Sequence, residues 1–70
     1  MDKETTEHTI DGVTYRLTYY TQGENPNEIV YLESELGEDS TYLRDHEPPN
    51  PKMIARHMFV AMYWNQQEHI

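Results

Sequence analysis

Residues 50–67 read NPKMIARHMFVAMYWNQQ, and this stretch decides the fold. Asn50 is a favoured helix N-cap, because its side-chain oxygen can accept a hydrogen bond from a free backbone N–H in the first turn. Pro51 suits the first helical position, since its φ is pre-set and its missing N–H is not needed there. The two prolines before Asn50 prevent the helix from extending backwards. The pattern predicts one helix over residues 51–67, about 25 Å long at 1.5 Å per residue.

The predicted helix has an unusually wide apolar surface. At about 100° per residue, a narrow polar stripe contains Lys52, Arg56, Tyr63 and Gln67. One apolar stripe contains Ile54, Met58, Ala61 and Met62, widened by Ala55 and Phe59. A second apolar stripe contains Met53, His57, Val60 and Trp64. A helix that covers one sheet needs an apolar arc of little more than about 100°, so the second stripe is expected to contact another surface.

The residues before the helix predict strands. Residues 5–10 and 13–21 form a hairpin around Asp11-Gly12, because both central positions of a type I′ turn need positive φ. Alternation of apolar and polar residues predicts a third strand over residues 28–36. Gly37-Glu38-Asp39 is then expected to form a turn. Residues 40–44 are interpreted as a short fourth strand, with a helical turn capped by Ser40 as the alternative.

These elements predict an α+β fold, in which a three- to four-stranded antiparallel β-meander is packed by one long C-terminal helix. The whole chain, residues 1–70, is expected to form a single small domain, with residues 1–4 disordered. The expected core joins one face of the sheet to the first apolar stripe of the helix. Its expected members are Val13, Leu17, Val30, Leu32, Ile54, Met58 and Ala61.

Composition narrows the classes of partner. The chain has 13 acidic and 5 basic residues and a formal charge of −8. This charge disfavours direct binding to nucleic acid or to an anionic membrane and favours a basic protein partner. The absence of cysteine excludes disulfides and thiolate metal sites, which is in keeping with a cytoplasmic location. No apolar run has membrane-spanning length.

The second apolar stripe of the helix is the first candidate binding surface. Met53, His57, Val60 and Trp64 are expected to face solvent if the other stripe covers the sheet, and exposed apolar patches of this kind mark interfaces. A two-fold homodimer is the expected assembly, since a 70-residue chain buries little core by itself and two-fold symmetry is the commonest. The alternative is a deeply curved sheet that buries nearly all of the helix.

An acidic strand face is the second candidate binding surface. Glu33 and Glu35 are two residues apart, so on one strand their carboxylates would project from the same side about 6.6–6.8 Å apart, similar to successive phosphates of a nucleic-acid strand. The full predicted surface consists of Tyr20, Tyr31, Glu33, Glu35, Glu38 and Asp39. The alternative is a solvated face on which Arg16 pairs with Glu33 across strands.

Catalysis and metal binding are not expected. The sequence contains no glycine-rich phosphate loop, no Gly-x-Ser-x-Gly elbow and no cysteine nucleophile. The histidines, His8, His46, His57 and His69, are scattered without metal-ligand spacing. No cofactor is predicted.

In size and charge the chain is similar to small acidic proteins of phages and mobile elements that inhibit host nucleic-acid enzymes. That resemblance implies a cytoplasmic protein that presents a nucleic-acid-like negative surface to a basic nucleic-acid-binding protein. The competing hypothesis is a structural or accessory subunit, or a homodimeric module, that docks through the apolar face of its C-terminal helix.

Overall fold

The computed structural model describes residues 2–67, and Met1, Glu68, His69 and Ile70 lie outside the described range. It confirms the predicted fold, because four antiparallel strands in the order β1-β2-β3-β4 are packed by one C-terminal helix. The elements are β1 Glu4–Ile10, β2 Val13–Gln22, β3 Ile29–Ser34, β4 Gly37–Tyr42, a 3₁₀ turn at Leu43–Asp45, and α1 Pro51–Gln67.

The first hairpin turns where the sequence indicates. Asp11 and Gly12 have φ values of 53° and 79°, as a type I′ turn requires. Ile10 pairs with Val13 on either side of this turn. β1 begins at Glu4, one residue earlier than predicted.

The turn between β3 and β4 lies two residues earlier than predicted. β3 ends at Ser34, Glu35 and Leu36 form the turn, and Gly37 pairs with Ser34 as the first residue of β4. The Ser34 hydroxyl accepts a hydrogen bond from Leu36 N (3.2 Å) and donates one to Gly37 O (3.0 Å). Type I turns favour Ser at the first position and Gly at the fourth. The strand predicted to reach Leu36 and the turn predicted at residues 37–39 were therefore wrong.

The fourth strand exists, but it occupies Gly37–Tyr42 rather than residues 40–44. The strand interpretation holds for residues 40–42, and the chain then passes directly into the 3₁₀ turn at Leu43–Asp45. The helical turn capped by Ser40 was wrong, because Ser40 lies within the strand and the 3₁₀ turn starts after Tyr42. Leu43 N donates a hydrogen bond to Glu28 O (2.9 Å), which ties this turn to the residue before β3.

The helix begins as predicted. Asn50 Oδ1 accepts a hydrogen bond from Met53 N (3.2 Å), and Asn50 O accepts one from Ile54 N (2.9 Å). The side chain of Asn50 therefore satisfies one of the free N–H groups of the first turn.

A small core lies between the helix and strands β2 and β3. Phe59 is fully buried, and its ring centroid lies 5.2 Å from that of Tyr15. The buried apolar residues that form the core cluster are Leu17, Val30, Leu32, Ile54, Ala55, Met58 and Phe59.

The helix is rotated about its axis relative to the predicted packing. Ala61 is exposed, although it was expected in the core, and Tyr63 is buried, although it was assigned to the polar stripe. Val13 is also 50% exposed rather than buried. The rotation follows from where the two buried rings of the helix fit: Phe59 packs over Tyr15, and Tyr63 lies one turn further along the same side.

Tyr63 fixes the end of the helix to the first hairpin. Its hydroxyl donates a 2.6 Å hydrogen bond to Asp11 Oδ2. This bond, together with burial and the charge of Asp11, raises the pKa of Tyr63 to about 12. Asp11 therefore has two roles, as the positive-φ residue of the turn and as the acceptor that positions the helix. No helix among residues 2–67 has the length and apolar character needed to cross a membrane.

Candidate functional site

One face of the sheet is covered by the helix, and the other face, here called the open face, is covered by no described element. Because paired residues share a face, the register places Arg16, Thr18, Tyr20, Tyr31, Glu33, Glu38, Ser40 and Tyr42 on the open face. Leu17 and Leu32, their neighbours along the strands, are buried beneath the helix. The strict alternation along β2 and β3 thus separates the core from a candidate binding surface.

Two tyrosines form the centre of the open face. Tyr20 on β2 and Tyr31 on β3 pair directly, and their rings are stacked with centroids 5.1 Å apart and planes inclined by 15°. The Nζ of Lys3 lies 5.0 Å from the Tyr20 ring centroid and 3.2 Å from Glu33 Oε2. Tyr20 and Tyr31, both predicted partner-binding residues, are therefore brought together as one flat, partly buried platform.

Two carboxylates lie side by side next to this platform. Glu33 on β3 pairs directly with Glu38 on β4. Like charges directly opposite each other on neighbouring strands are unfavourable. A groove of about 350 Å³ runs along these residues and is lined by Tyr20, Tyr31, Leu32, Glu33, Glu38, Asp39 and Ser40.

Two of the predicted acidic residues do not share this arrangement. Glu35 lies in the β3–β4 turn, so the spacing expected for Glu33 and Glu35 on one continuous strand was wrong. Asp39 pairs with Leu32 and therefore belongs to the helix side of the sheet, where its Oδ1 accepts a hydrogen bond from Ser40 N (2.8 Å). The early turn causes both differences, because it moves the start of β4 back to Gly37.

The basic residues of the open face also differ from expectation. In the register of β1 and β2, Arg16 lies opposite Glu7 and not beside Glu33. The carboxylate of Glu33 instead forms a salt bridge with Lys3. Arg44 lies over the ring of Tyr42, 4.5 Å from its centroid, at the other edge of the sheet. Lys3 precedes the first strand and is far from Glu33 in sequence, so no local pattern indicated this contact.

Charge is divided unevenly along the chain. Residues 1–50 contain twelve acids and three bases, a formal charge of −9, whereas the helix contains Lys52 and Arg56 and no acid. The sheet and its loops therefore hold all of the negative excess of the described residues, and the helix is basic. Counting charges separately for each predicted element would have shown this division from the sequence.

The second apolar stripe of the helix, Met53, His57, Val60 and Trp64, is here called the outer stripe, and it faces solvent for most of its length. Met53 is 41% exposed and Trp64 is 54% exposed, and His57 is exposed between them. Val60 is half-buried, and exposed Ala61 takes its place in the stripe because of the helix rotation. Trp64 contacts Tyr63 edge to face, with ring centroids 5.3 Å apart. Whether this surface is an interface stays a prediction.

A second groove, of about 370 Å³, lies between the β2–β3 loop and the segment before the helix, lined by Asn25, Pro26, Glu28, Leu43, Arg44, His46, Glu47 and Pro49. Within residues 2–67, no three metal-ligating side chains lie close together. His46 Nε2 shares a 3.1 Å hydrogen bond with the hydroxyl of Thr41, and His69 is outside the described range.

Comparison with family models, curated proteins and solved structures found no match to this chain.

Proposed function

We propose that this protein is a small non-catalytic binding protein that uses its open face to hold a basic surface of another protein. The observation that supports this most directly is the direct pairing of Glu33 with Glu38 beside the stacked rings of Tyr20 and Tyr31. Tyrosines provide large contact area at low conformational-entropy cost. Paired carboxylates provide charge that attracts a basic partner and speeds its association.

The charge division defines the class of partner. A formal charge of −9 over residues 1–50 favours a protein with a concentrated positive surface. Proteins that bind nucleic acid have such a surface, so a cytoplasmic nucleic-acid-binding protein is the proposed target, as for inhibitors made by phages and mobile elements. The proposal rests on charge and flat aromatic area, and it does not need a regular phosphate-like row of carboxylates.

Charge reversal with a matched control tests this function. Immobilised protein is used to capture basic proteins from a lysate of its native cell, and the captured set is compared between two double variants. Glu33→Lys with Glu38→Lys should abolish capture, whereas Glu24→Lys with Glu47→Lys, which changes net charge equally at exposed sites away from the open face, should retain it. Capture should also weaken with salt, since the Debye length falls from about 10 Å at 0.1 M to about 3 Å at 1 M. Equal capture by both double variants would contradict the proposal.

A second function is favoured by the exposed outer stripe of the helix. Met53 and Trp64 are large, apolar and about half exposed, and this is typical of a surface that docks on another subunit or on a second copy of the chain. In this case Trp64→Ala should abolish partner capture, and salt should have little effect on it. The two functions are separable because they place binding on opposite sides of the molecule.

A further inference from the structure

The ammonium group of Lys3 shows what kind of ligand the open face can hold. Its Nζ lies 3.2 and 3.4 Å from the two carboxylate oxygens of Glu33 and 5.0 Å from the centroid of Tyr20. A cation that contacts both an aromatic face and a carboxylate is held by electrostatic attraction to each. The Lys3 side chain is 53% exposed, so this contact is weak and can be exchanged.

Two of the three tyrosines on the open face have a basic group of the chain over them. Lys3 lies over Tyr20, and Arg44 lies over Tyr42 with its guanidinium carbon 4.5 Å from the ring centroid. Tyr31 lies between them, and among residues 2–67 it has no such group. Its ring stacks on Tyr20 and borders the groove that Glu33 and Glu38 also line. Among the described residues, Tyr31 therefore lacks the basic group that lies over the rings of Tyr20 and Tyr42.

The two glutamates make a cation favourable at this place. Their direct pairing on β3 and β4 is repulsive, and Lys3 is bound to Glu33 alone. Within the described part of the chain, Glu38 has no ion pair. A second positive charge near Tyr31 would lie close to both carboxylates and would relieve their repulsion.

We propose that the groove beside Tyr31 binds an arginine side chain of a basic partner segment, with the guanidinium on the tyrosine ring and its N–H groups donating to Glu33 and Glu38. Arginine is preferred to lysine because its planar group stacks on aromatic rings and can donate to two carboxylates at once. Lys3, which lies over Tyr20 and holds Glu33, competes with the incoming guanidinium for that carboxylate. The inference rests on the proposed function, since it names the chemistry by which the open face recognises its partner.

The test uses a short arginine peptide with acetyl and amide ends, and the same peptide with citrulline, the neutral isostere of arginine. Binding to the full chain is followed by NMR chemical shifts. The arginine peptide should shift signals of Tyr31, Ser40 and their neighbours on the open face, and the citrulline peptide should not. Shifts that are equal for both peptides, or that are spread over the helix, would overturn the inference.

Matched variants test the individual roles. Glu38→Gln should weaken binding of the arginine peptide by about threefold or more, relative to Glu24→Gln, which removes the same charge from an exposed loop. Lys3→Ala should tighten binding more than Lys52→Ala, which removes an equal charge from the exposed helix surface. Identical affinities for Lys3→Ala and Lys52→Ala would show that Lys3 does not compete.

The outcomes also separate this inference from the proposed function. If Glu33→Lys with Glu38→Lys abolishes capture of a basic protein but the arginine peptide produces no localised shifts, the function holds and the arginine site is wrong. If the peptide binds beside Tyr31 but the charge-reversed double variant captures the same proteins as the control, the site holds and the function is wrong. Signals of Tyr31 that shift with protein concentration in the absence of peptide would identify a second copy as the occupant and would overturn the inference.

Discussion

Glu38→Gln should make this protein more stable, because the wild-type chain holds Glu38 directly opposite Glu33. Opposed side chains on neighbouring strands have Cβ atoms about 4.5–5.5 Å apart and like or unlike charge pairs there change stability by roughly 0.2–1 kcal/mol. Both carboxylates reach solvent, so the free energy of unfolding of Glu38→Gln is expected to rise by only about 0.5 kcal/mol. With an m value of about 1 kcal/mol/M in urea, the midpoint should rise by about 0.5 M.

Glu7→Gln is the matched control for this prediction. Glu7 is also an exposed strand glutamate, but the residue directly opposite it on β2 is Arg16, an unlike charge. The same change of side chain and of net charge should therefore lower the midpoint instead of raising it. Unfolding can be followed in urea by the fluorescence of Trp64, the single tryptophan.

The signs of the two midpoint shifts show whether cross-strand charge pairing controls the stability of the sheet. Glu38→Gln and Glu7→Gln should shift the midpoint in opposite directions at low salt, and the shifts should shrink near 1 M salt, where the Debye length is about 3 Å. Shifts of equal size and the same sign would mean that total charge, and not the cross-strand pairing, controls stability. In that case the repulsion that favours a cation beside Tyr31 would not exist.

Three further predictions concern the core, the helix-to-hairpin bond and the outer stripe of the helix. Phe59→Ala should lower the free energy of unfolding, measured in urea, by about 3–5 kcal/mol, since Phe59 is fully buried. Val13→Ala, at a 50% exposed site, should lower it by less than about 1 kcal/mol. Similar losses for the two variants would refute the described core. The hydrogen bond from Tyr63 should stabilise the fold fully below pH 10 and be lost as pH rises through its pKa of about 12. Wild type should therefore lose more stability than Tyr63→Phe over that interval, and parallel pH profiles would contradict this. For the outer stripe, sedimentation at tens of micromolar should give a dimer that Trp64→Ala converts to a monomer, and a monomeric wild type would count against the homodimer.

The first hairpin and the helix start could be predicted because their signals are local. Asp11-Gly12 supplies the positive φ of the turn, and Asn50-Pro51 supplies the cap and the first helical residue. These conformations depend on neighbours within a few residues, so the sequence states them directly. The β3–β4 turn also has a local signal, Ser34 three residues before Gly37. The prediction placed Gly37 at the start of the turn, whereas Gly37 directly follows the turn as the first residue of β4.

The composition of the candidate site was partly predictable, but its arrangement was not. Alternation on β2 and β3 placed Tyr20, Tyr31 and Glu33 on one face, which the register bears out. The position of Glu38 depended on where the β3–β4 turn lies, because a shift of the register moves side chains to the other face. The contact between Lys3 and Glu33 joins residues 30 positions apart, and no local pattern encodes it.

By itself the sequence determined the order of the strands and helix, the separation of apolar and polar faces, and the large negative charge. These properties follow from periodicity and composition, which are additive along the chain. The tertiary structure alone decided the rotation of the helix, which buries Tyr63 and exposes Ala61, and the pairing of Glu33 with Glu38. Both depend on how large rings and strand registers fit together in three dimensions, and helical or strand spacing leaves several such fits open.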